Sequence, residues 1–197
     1  MCWLTGLRTR ALGSAVAAFV GYIIQANGIH FPWKLTGDVS YADISAAGGP
    51  PDQWDALPTA AKVQILLFIG FLEICGESTY ILEQSGEKHY MKGGKPGVYP
   101  SLKAVMPHPV PLDLFDPFGL QSKMSPEKKE KALLAEINNG RLAQLGIMAF
   151  LAESKVPGSV PALTGKIAPY AGEPMAPFAA SDATLPFVKD MLSVTLF

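Results

Sequence analysis

Charged residues are scarce in this sequence, and cysteines are scarcer. Charged side chains make up 17% of the 197 residues, whereas about 25% is usual for a soluble domain. The net charge of −1 gives no sign of a basic surface for nucleic acid. Cys2 and Cys75 fit neither a disulfide framework nor a zinc-ligand spacing. Dinucleotide-binding, nucleophile-elbow, P-loop and paired His/Cys motifs are also missing, so we do not expect an enzyme.

Three apolar stretches stand out, although none is a long uninterrupted hydrophobic run. They cover residues 11–25, 60–75 and 132–154. A helix of about 20 residues crosses a hydrocarbon core of about 30 Å, and each stretch reaches that length once its flanks are included. We predict helices over about 10–27, 58–82 and 125–154. Ser125 as N-cap, followed by Pro126 and Glu127, favours the start of the third helix.

Proline and glycine are concentrated between these stretches, where they disfavour long helices and central strands. No segment shows a convincing strand alternation. The predicted fold class is an all-α membrane protein with three transmembrane helices, two of them long and crossed, joined by long Pro/Gly-rich loops. We expect a single domain over 1–197, with a short amphipathic segment at about 184–196 on the membrane surface.

Polar side chains interrupt the apolar third helix, where residues 135–144 read AEINNGRLAQ. Glu136 and Asn139 are three residues apart and share a helix face. Charges inside a membrane helix are costly unless they are paired or coordinated, and carboxylate and amide oxygens suit Mg²⁺. A guanidinium such as that of Arg141 can neutralise a carboxylate on a neighbouring helix. The alternative is a soluble helix that exposes Glu136 and Arg141 to water.

The other helices repeat this pattern of isolated oxygen donors. Gln64 and Glu73 lie within the apolar second stretch, and Glu153 lies near the end of the third. Gly140 leaves room for a large flat group beside the helix backbone, and Gly70 stands one turn before Glu73. Because the donors are spread along and around the helices, the pattern favours many separate ligands over one polar pore.

Several motifs resemble those of light-harvesting proteins that bind chlorophyll. EINNGRLAQLGIMAFLAESKVPGSVPAL resembles the third transmembrane helix of chlorophyll a/b and a/c antennae. DLFDPFG, HYMKGGKPGVYP and QILLFIGFLE resemble the a/c branch, which includes fucoxanthin- and peridinin-binding antennae. ESKVPGSVPALTG and PYAGEPMAPF favour the dinoflagellate peridinin type. The resemblance covers roughly residues 21–178.

The resemblance implies a role for particular side chains. Arg141 would form an interhelical ion pair, Asp116 and Phe118 of DPFG would help to hold a carotenoid head group, and His89 is a candidate ligand of a peripheral chlorophyll. The residues implied as ligands of chlorophyll Mg are Glu136, Asn139, Glu73, Gln64 and Glu153.

The function implied by the resemblance is light harvesting in the chloroplast thylakoid membrane, as a multi-pass protein. The pigments would be chlorophyll a, chlorophyll c and a carotenoid such as peridinin or fucoxanthin, or one like diadinoxanthin. The partners would be a photosystem I or II core, neighbouring antenna subunits and membrane lipid, with no nucleic acid. Two alternatives remain: photoprotective quenching on the same fold, and a small membrane transporter or channel.

The first helix departs from the family pattern. Relatives carry E-x-x-H-x-R there, whereas Arg8, Ala11 and Gly13 occupy the three places in this chain. The resemblance therefore implies no chlorophyll ligand on this helix, and no arginine to pair with Glu136. One open alternative is a local shift that brings Arg8 or Arg10 to the missing position. Another is that MCWLTGLRTR is an atypical start, a truncation or a mis-assigned segment.

Overall fold

A computed structural model describes residues 2–94, 99–102, 123–174 and 176–193, with side chains from Leu12 onwards. The chain is mostly helical in these parts. The helices are α1 (Cys2–Ala26), α2 (Tyr41–Ser45), α3 (Pro50–Asp55), α4 (Thr59–Glu77), α5 (Thr79–Gln84), α6 (Pro126–Lys155) and α7 (Val188–Ser193), and short 3₁₀ helices span Tyr90–Lys92 and Ala180–Asp182. Strands β1 (Lys34–Thr36) and β2 (Val39–Ser40) form an antiparallel pair. This hairpin was not predicted, because strands of three and two residues are too short to show an alternating pattern.

Two of the three predicted long helices differ from the structure, and the third agrees with it to within one residue at each end. α1 begins earlier than residue 10 and ends at Ala26, where Gly28 takes a positive φ of 67° that favours glycine. The single helix predicted over 58–82 is corrected to α4 and α5. Ser78 has an extended conformation between them, which breaks the helical hydrogen-bond ladder. α6 starts at Pro126, as the sequence predicts.

The chain divides into two compact units, each made of two separate segments. Unit 1 comprises residues 1–16 and 67–142, and unit 2 comprises residues 17–66 and 143–197. The boundaries fall inside α1, α4 and α6 rather than in loops. The single domain over 1–197 therefore stays a prediction.

Unit 1 brings α1 against α6 at a glycine. Gly140 is buried, and a Cβ atom built on it would lie 2.5 Å from Cβ and 3.1 Å from Cα of Leu12. The two backbones can approach this closely only because glycine has no side chain. Elsewhere in the unit, the Tyr99 hydroxyl donates to the Leu72 carbonyl oxygen at 2.9 Å.

Replacing Gly140 by alanine should therefore lower the thermal midpoint of the pigment-loaded protein. The added methyl group would meet the backbone of Leu12, which no rotamer change can move, and such overpacking costs about 1–3 kcal/mol. Gly13→Ala in α1 is the matched control, because no described atom lies within 4 Å of a Cβ at Gly13. Circular dichroism during heating measures both variants, and equal midpoints would contradict the close approach.

Unit 2 contains an aromatic contact between α1 and α6. The Phe150 ring stacks on Phe19 and Tyr22, with ring centroids 5.2 and 4.9 Å apart. Such stacked pairs contribute about 0.5–1.5 kcal/mol beyond the area that they bury. This contact packs α1 against α6 within unit 2.

A buried ion pair in unit 2 joins the start of α4 to the C-terminal segment. Lys62 is fully buried, and its Nζ lies 2.6 Å from Oδ2 of Asp182 and 3.1 Å from the Asp55 carbonyl oxygen. Asp182 also accepts hydrogen bonds from the Thr59 hydroxyl and from the Ala179 amide. Burial alone would raise the pKa of Asp182, but the hydrogen bonds from Lys62, Thr59 and Ala179 together lower it.

The short helix α3 is held in unit 2 by three side chains. Gln53 donates to the carbonyl oxygens of Gln25 and Gly48, and the Trp54 indole donates to the Pro177 carbonyl oxygen at 2.9 Å. The Tyr170 hydroxyl donates to the Asp55 carboxylate at 2.7 Å, and burial together with this carboxylate raises the pKa of Tyr170. These contacts join α3 to the end of α1, to the preceding loop at Gly48 and to the segment that contains Tyr170 and Pro177.

Large apolar side chains are exposed along the long helices. On α4, Leu67, Phe68 and Ile74 are 68%, 60% and 70% exposed. Within the described part of the chain, α4 is the one helix that is long and apolar enough to cross a membrane, and Leu12–Ala26 of α1 is a shorter apolar helix. The charged start of α6, with Glu136, Arg141 and Glu153 further along, lowers its mean hydropathy. Three transmembrane helices therefore stay a prediction.

Candidate functional site

The predicted oxygen donors of α6 lie on its exposed surface. Glu136 and Asn139 are exposed and one helical turn apart, and Arg141 is exposed as well. The leucines around them are also open, with Leu134 61% and Leu142 68% exposed. A soluble helix would surround exposed charges with other polar groups. This part of α6 instead presents a carboxylate and an amide within an apolar surface.

The donors of α4 have similar surroundings. Gln64 and Glu73 are exposed, and the helix surface between them consists of apolar side chains that are themselves largely open. An apolar surface of this extent needs a lipid, pigment or protein neighbour. Gln64 is therefore placed where a ligand outside the chain can reach it, whereas Glu73, although exposed, also interacts with another group of the chain.

Glu153 has different surroundings, and the structure argues against its predicted role. Its side chain is 2% exposed. One carboxylate oxygen accepts the Gly158 amide and the other accepts the Val160 amide, both at 2.8 Å, and Ser159 adds a longer contact of 3.5 Å. The carboxylate thus holds the chain as it leaves α6, and a macrocycle has no open approach to it. We withdraw Glu153 from the Mg ligands on this ground.

His89 is also corrected, because both of its ring nitrogens are engaged. The Met91 amide donates to Nδ1 at 3.1 Å, and Nε2 lies 2.8 Å from the Glu77 carboxylate. A nitrogen that accepts an amide proton is unprotonated, so Nε2 carries the ring proton and donates it to Glu77. Neither nitrogen then has a free lone pair for a metal ion. The residue instead connects the end of α4 to the following 3₁₀ helix.

Two other predictions concern residues whose side chains lie outside the described part of the chain. Asp116 and Phe118 lie outside the described residues. The same is true of the side chains of Arg8 and Arg10, so the partner predicted for Arg141 stays a prediction. Within the described ranges, no group of three or more His, Cys, Asp or Glu side chains could hold a metal ion. Each predicted donor would therefore be the one protein ligand of its Mg.

Sequence reasoning missed two features of unit 2. Lys62 was read as part of an apolar stretch, and its partner Asp182 lies 120 residues away, so no local pattern connects them. His30 lies between loop residues, and no motif in the sequence marks it. The structure places it on the lining of a cleft.

Exposed oxygen donors on largely exposed apolar helix surfaces define a class: a helical protein that needs lipid, pigment or protein neighbours. The Chlorophyll A-B binding protein family matches residues 14–155, which is most of the chain. The chain belongs to this family.

Two curated relatives have names that describe them as chloroplastic proteins. The chain is 31% identical over 157 residues to "Fucoxanthin-chlorophyll a-c binding protein, chloroplastic" of Trieres chinensis, covering 75% of this chain and 62% of the relative. It is 33% identical over 144 residues to "Fucoxanthin-chlorophyll a-c binding protein F, chloroplastic" of Phaeodactylum tricornutum, covering 72% and 59%. The chain thus spans about three fifths of the length of these relatives.

Proposed function

We propose that the chain is a light-harvesting antenna protein of the thylakoid membrane. It binds chlorophyll a, chlorophyll c and a carotenoid of the fucoxanthin or peridinin kind, and it passes excitation energy to a photosystem. The family and the names of the chloroplast relatives support this assignment. One structural observation supports the proposal most directly: Glu136 and Asn139 are exposed one helical turn apart, among exposed leucines.

Four side chains fit the central Mg of chlorophyll. Glu136, Asn139, Glu73 and Gln64 each present one oxygen donor on an exposed helix surface. The macrocycle of a chlorophyll would already ligate its Mg, so one oxygen donor from the protein would be enough to hold each pigment. Bound chlorophyll and carotenoid supply the light absorption. The protein fixes the position of each pigment and the charge beside it.

The remaining surfaces suit a membrane assembly. The apolar faces of α1, α4 and α6 would lie in the bilayer as three spans, against lipid, pigment and neighbouring antenna subunits. Arg141, flanked by exposed leucines, would be neutralised by a carboxylate, because an unpaired charge in hydrocarbon is costly. A photosystem I or II core is the proposed acceptor of excitation energy.

Pigment analysis of the chain purified from membranes, or refolded with a pigment extract, tests this function. We expect chromatography to find chlorophyll a, chlorophyll c and a carotenoid bound together. We expect light absorbed by chlorophyll c to excite chlorophyll a fluorescence, because energy transfer requires both pigments in fixed positions on one protein. A chain that stays folded in native membranes without any tetrapyrrole would refute the proposal. Ion flux in liposomes without pigment would favour the transporter instead.

A further inference from the structure

A cleft of about 660 Å³ in unit 2 is lined in part by His30, a histidine that is not among the proposed Mg ligands. The cleft lies among the end of α1, the segment 29–35, α2, α3 and the first turns of α4. Ile24, Ile44 and Leu57 contribute to its mainly apolar lining, and His30 and Gln64 add polar groups. Its volume falls within the range of about 300–1,000 Å³ that is typical of small-molecule sites.

The hydrogen bond of His30 fixes which ring nitrogen is available. Nδ1 lies 3.0 Å from the carbonyl oxygen of Phe31. A carbonyl oxygen can only accept a hydrogen bond, so Nδ1 must carry the proton and donate it. In the neutral imidazole, Nε2 then has the free lone pair. Metal-binding histidines are commonly oriented in this way, with the second N–H donated to a carbonyl or carboxylate oxygen.

The surroundings of His30 favour a flat apolar ligand over a hydrated ion. Its neighbours Ile29 and Phe31 are 64% and 57% exposed. The rings of Phe31 and Trp33 stack with centroids 4.7 Å apart, which extends the apolar surface beside the histidine. A free divalent cation needs several polar ligands, and the described residues form no such cluster. A macrocycle that already holds its metal ion needs one axial ligand.

We infer that Nε2 of His30 is the axial ligand of a further chlorophyll, held against this cleft. The inference rests on the proposed function, because it assumes that the chain binds chlorophyll. It adds a nitrogen ligand on a loop to the oxygen ligands on the helices. Gln64 on α4 lines the same cleft, and we propose that it holds a chlorophyll of its own, which the double variant below tests.

His30→Leu tests the assignment in the pigment-loaded protein. We expect the variant to lose about one chlorophyll per chain, because a single imidazole provides one axial ligand. His30→Gln should keep most of that chlorophyll, since its amide oxygen can also bind Mg. His89→Leu is the matched control, because both nitrogens of His89 are already engaged. Pigment chromatography counts the chlorophylls, and circular dichroism measures the helical content of each variant.

The outcomes separate this inference from the proposed function. If the unmodified chain binds chlorophyll and His30→Leu retains all of it, the inference fails and the function stands. If the unmodified chain binds none, the function itself fails. Adding His30→Leu to Gln64→Leu should remove one more chlorophyll than Gln64→Leu alone, and no further loss would overturn the separate site. Equal losses in the Leu and Gln variants, together with lower helicity, would assign His30 a purely structural role.

Discussion

Asn139→Leu is expected to remove about one chlorophyll per chain, whereas Asn138→Leu is expected to remove none. Both asparagines are exposed on α6, and both substitutions exchange an amide for an apolar side chain of similar size. Only Asn139 shares a helix face with Glu136 at a three-residue spacing. The pair of variants therefore separates the loss of a Mg ligand from the general effect of an added leucine.

The measurement is the ratio of chlorophyll to protein after refolding with a fixed pigment mixture. A bound chlorophyll also changes the absorption and fluorescence spectra, so the lost site should appear as a difference band between the two variants. Glu136→Gln should retain its chlorophyll because the amide keeps an oxygen donor, whereas Glu136→Leu should lose it. If Asn138→Leu and Asn139→Leu bind equal amounts, Asn139 is not a ligand.

Lys62→Met should destabilise the protein by about 3–5 kcal/mol, because it leaves a buried carboxylate without its charge partner. Lys62 is fully buried, and the side chain of Asp182 is only 2% exposed. The Thr59 and Ala179 hydrogen bonds remain, but neither supplies a positive charge. Lys189→Met, on the exposed surface of α7, is the control and should change stability by less than about 0.5 kcal/mol.

The double variant Lys62→Met/Asp182→Leu tests whether the pair acts through the unpaired charge. Removing both charges should recover much of the stability lost in Lys62→Met, since buried ion pairs can often be replaced by apolar residues at little cost. Denaturant unfolding of the pigment-loaded protein measures all four proteins. A Lys62→Met variant as stable as the Lys189→Met control would show that the buried pair contributes nothing.

The lowered pKa of Asp182 sets the sign of its pH dependence. A carboxyl with a lower pKa in the folded than in the unfolded protein stabilises the fold above the unfolded value, which is about 3.9 for aspartate. This stabilisation is lost as the pH falls through the lowered folded pKa. Between pH 5 and 7 the pair should therefore contribute a constant amount, and its contribution should fall only in stronger acid.

The long helices could be predicted because their signals are local. An apolar stretch, an N-cap serine and a following proline suffice to place the start of α6. The break at Ser78 was not predicted, although residues 76–79 read GEST and interrupt the apolar pattern with a glycine, a charge and two hydroxyl side chains. The hairpin of β1 and β2 was missed because five strand residues carry too little periodicity.

The sequence predicts which side chains have the right chemistry for a ligand, but it does not predict which of them remain accessible after folding. An oxygen donor in an apolar helix is visible in the sequence, so Glu136, Asn139 and Glu73 could be predicted as ligands. Whether a donor is available depends on what surrounds it after folding. Glu153 and His89 have suitable chemistry, but backbone amides and Glu77 already occupy their donor atoms. The cleft beside His30 forms from segments that are distant in sequence, so no motif marked it.

The ion pair of unit 2 also constrains the order of events during synthesis. Lys62 and Asp182 are 120 residues apart, and a ribosome adding about 5–20 residues per second needs roughly 6–24 s to cover that interval. Throughout that time the ammonium group at the beginning of α4 has no carboxylate partner from the C-terminal segment. Unit 2 can reach its final packing only after nearly the whole chain has emerged, and the growing polypeptide must keep this lysine hydrated or shielded until then.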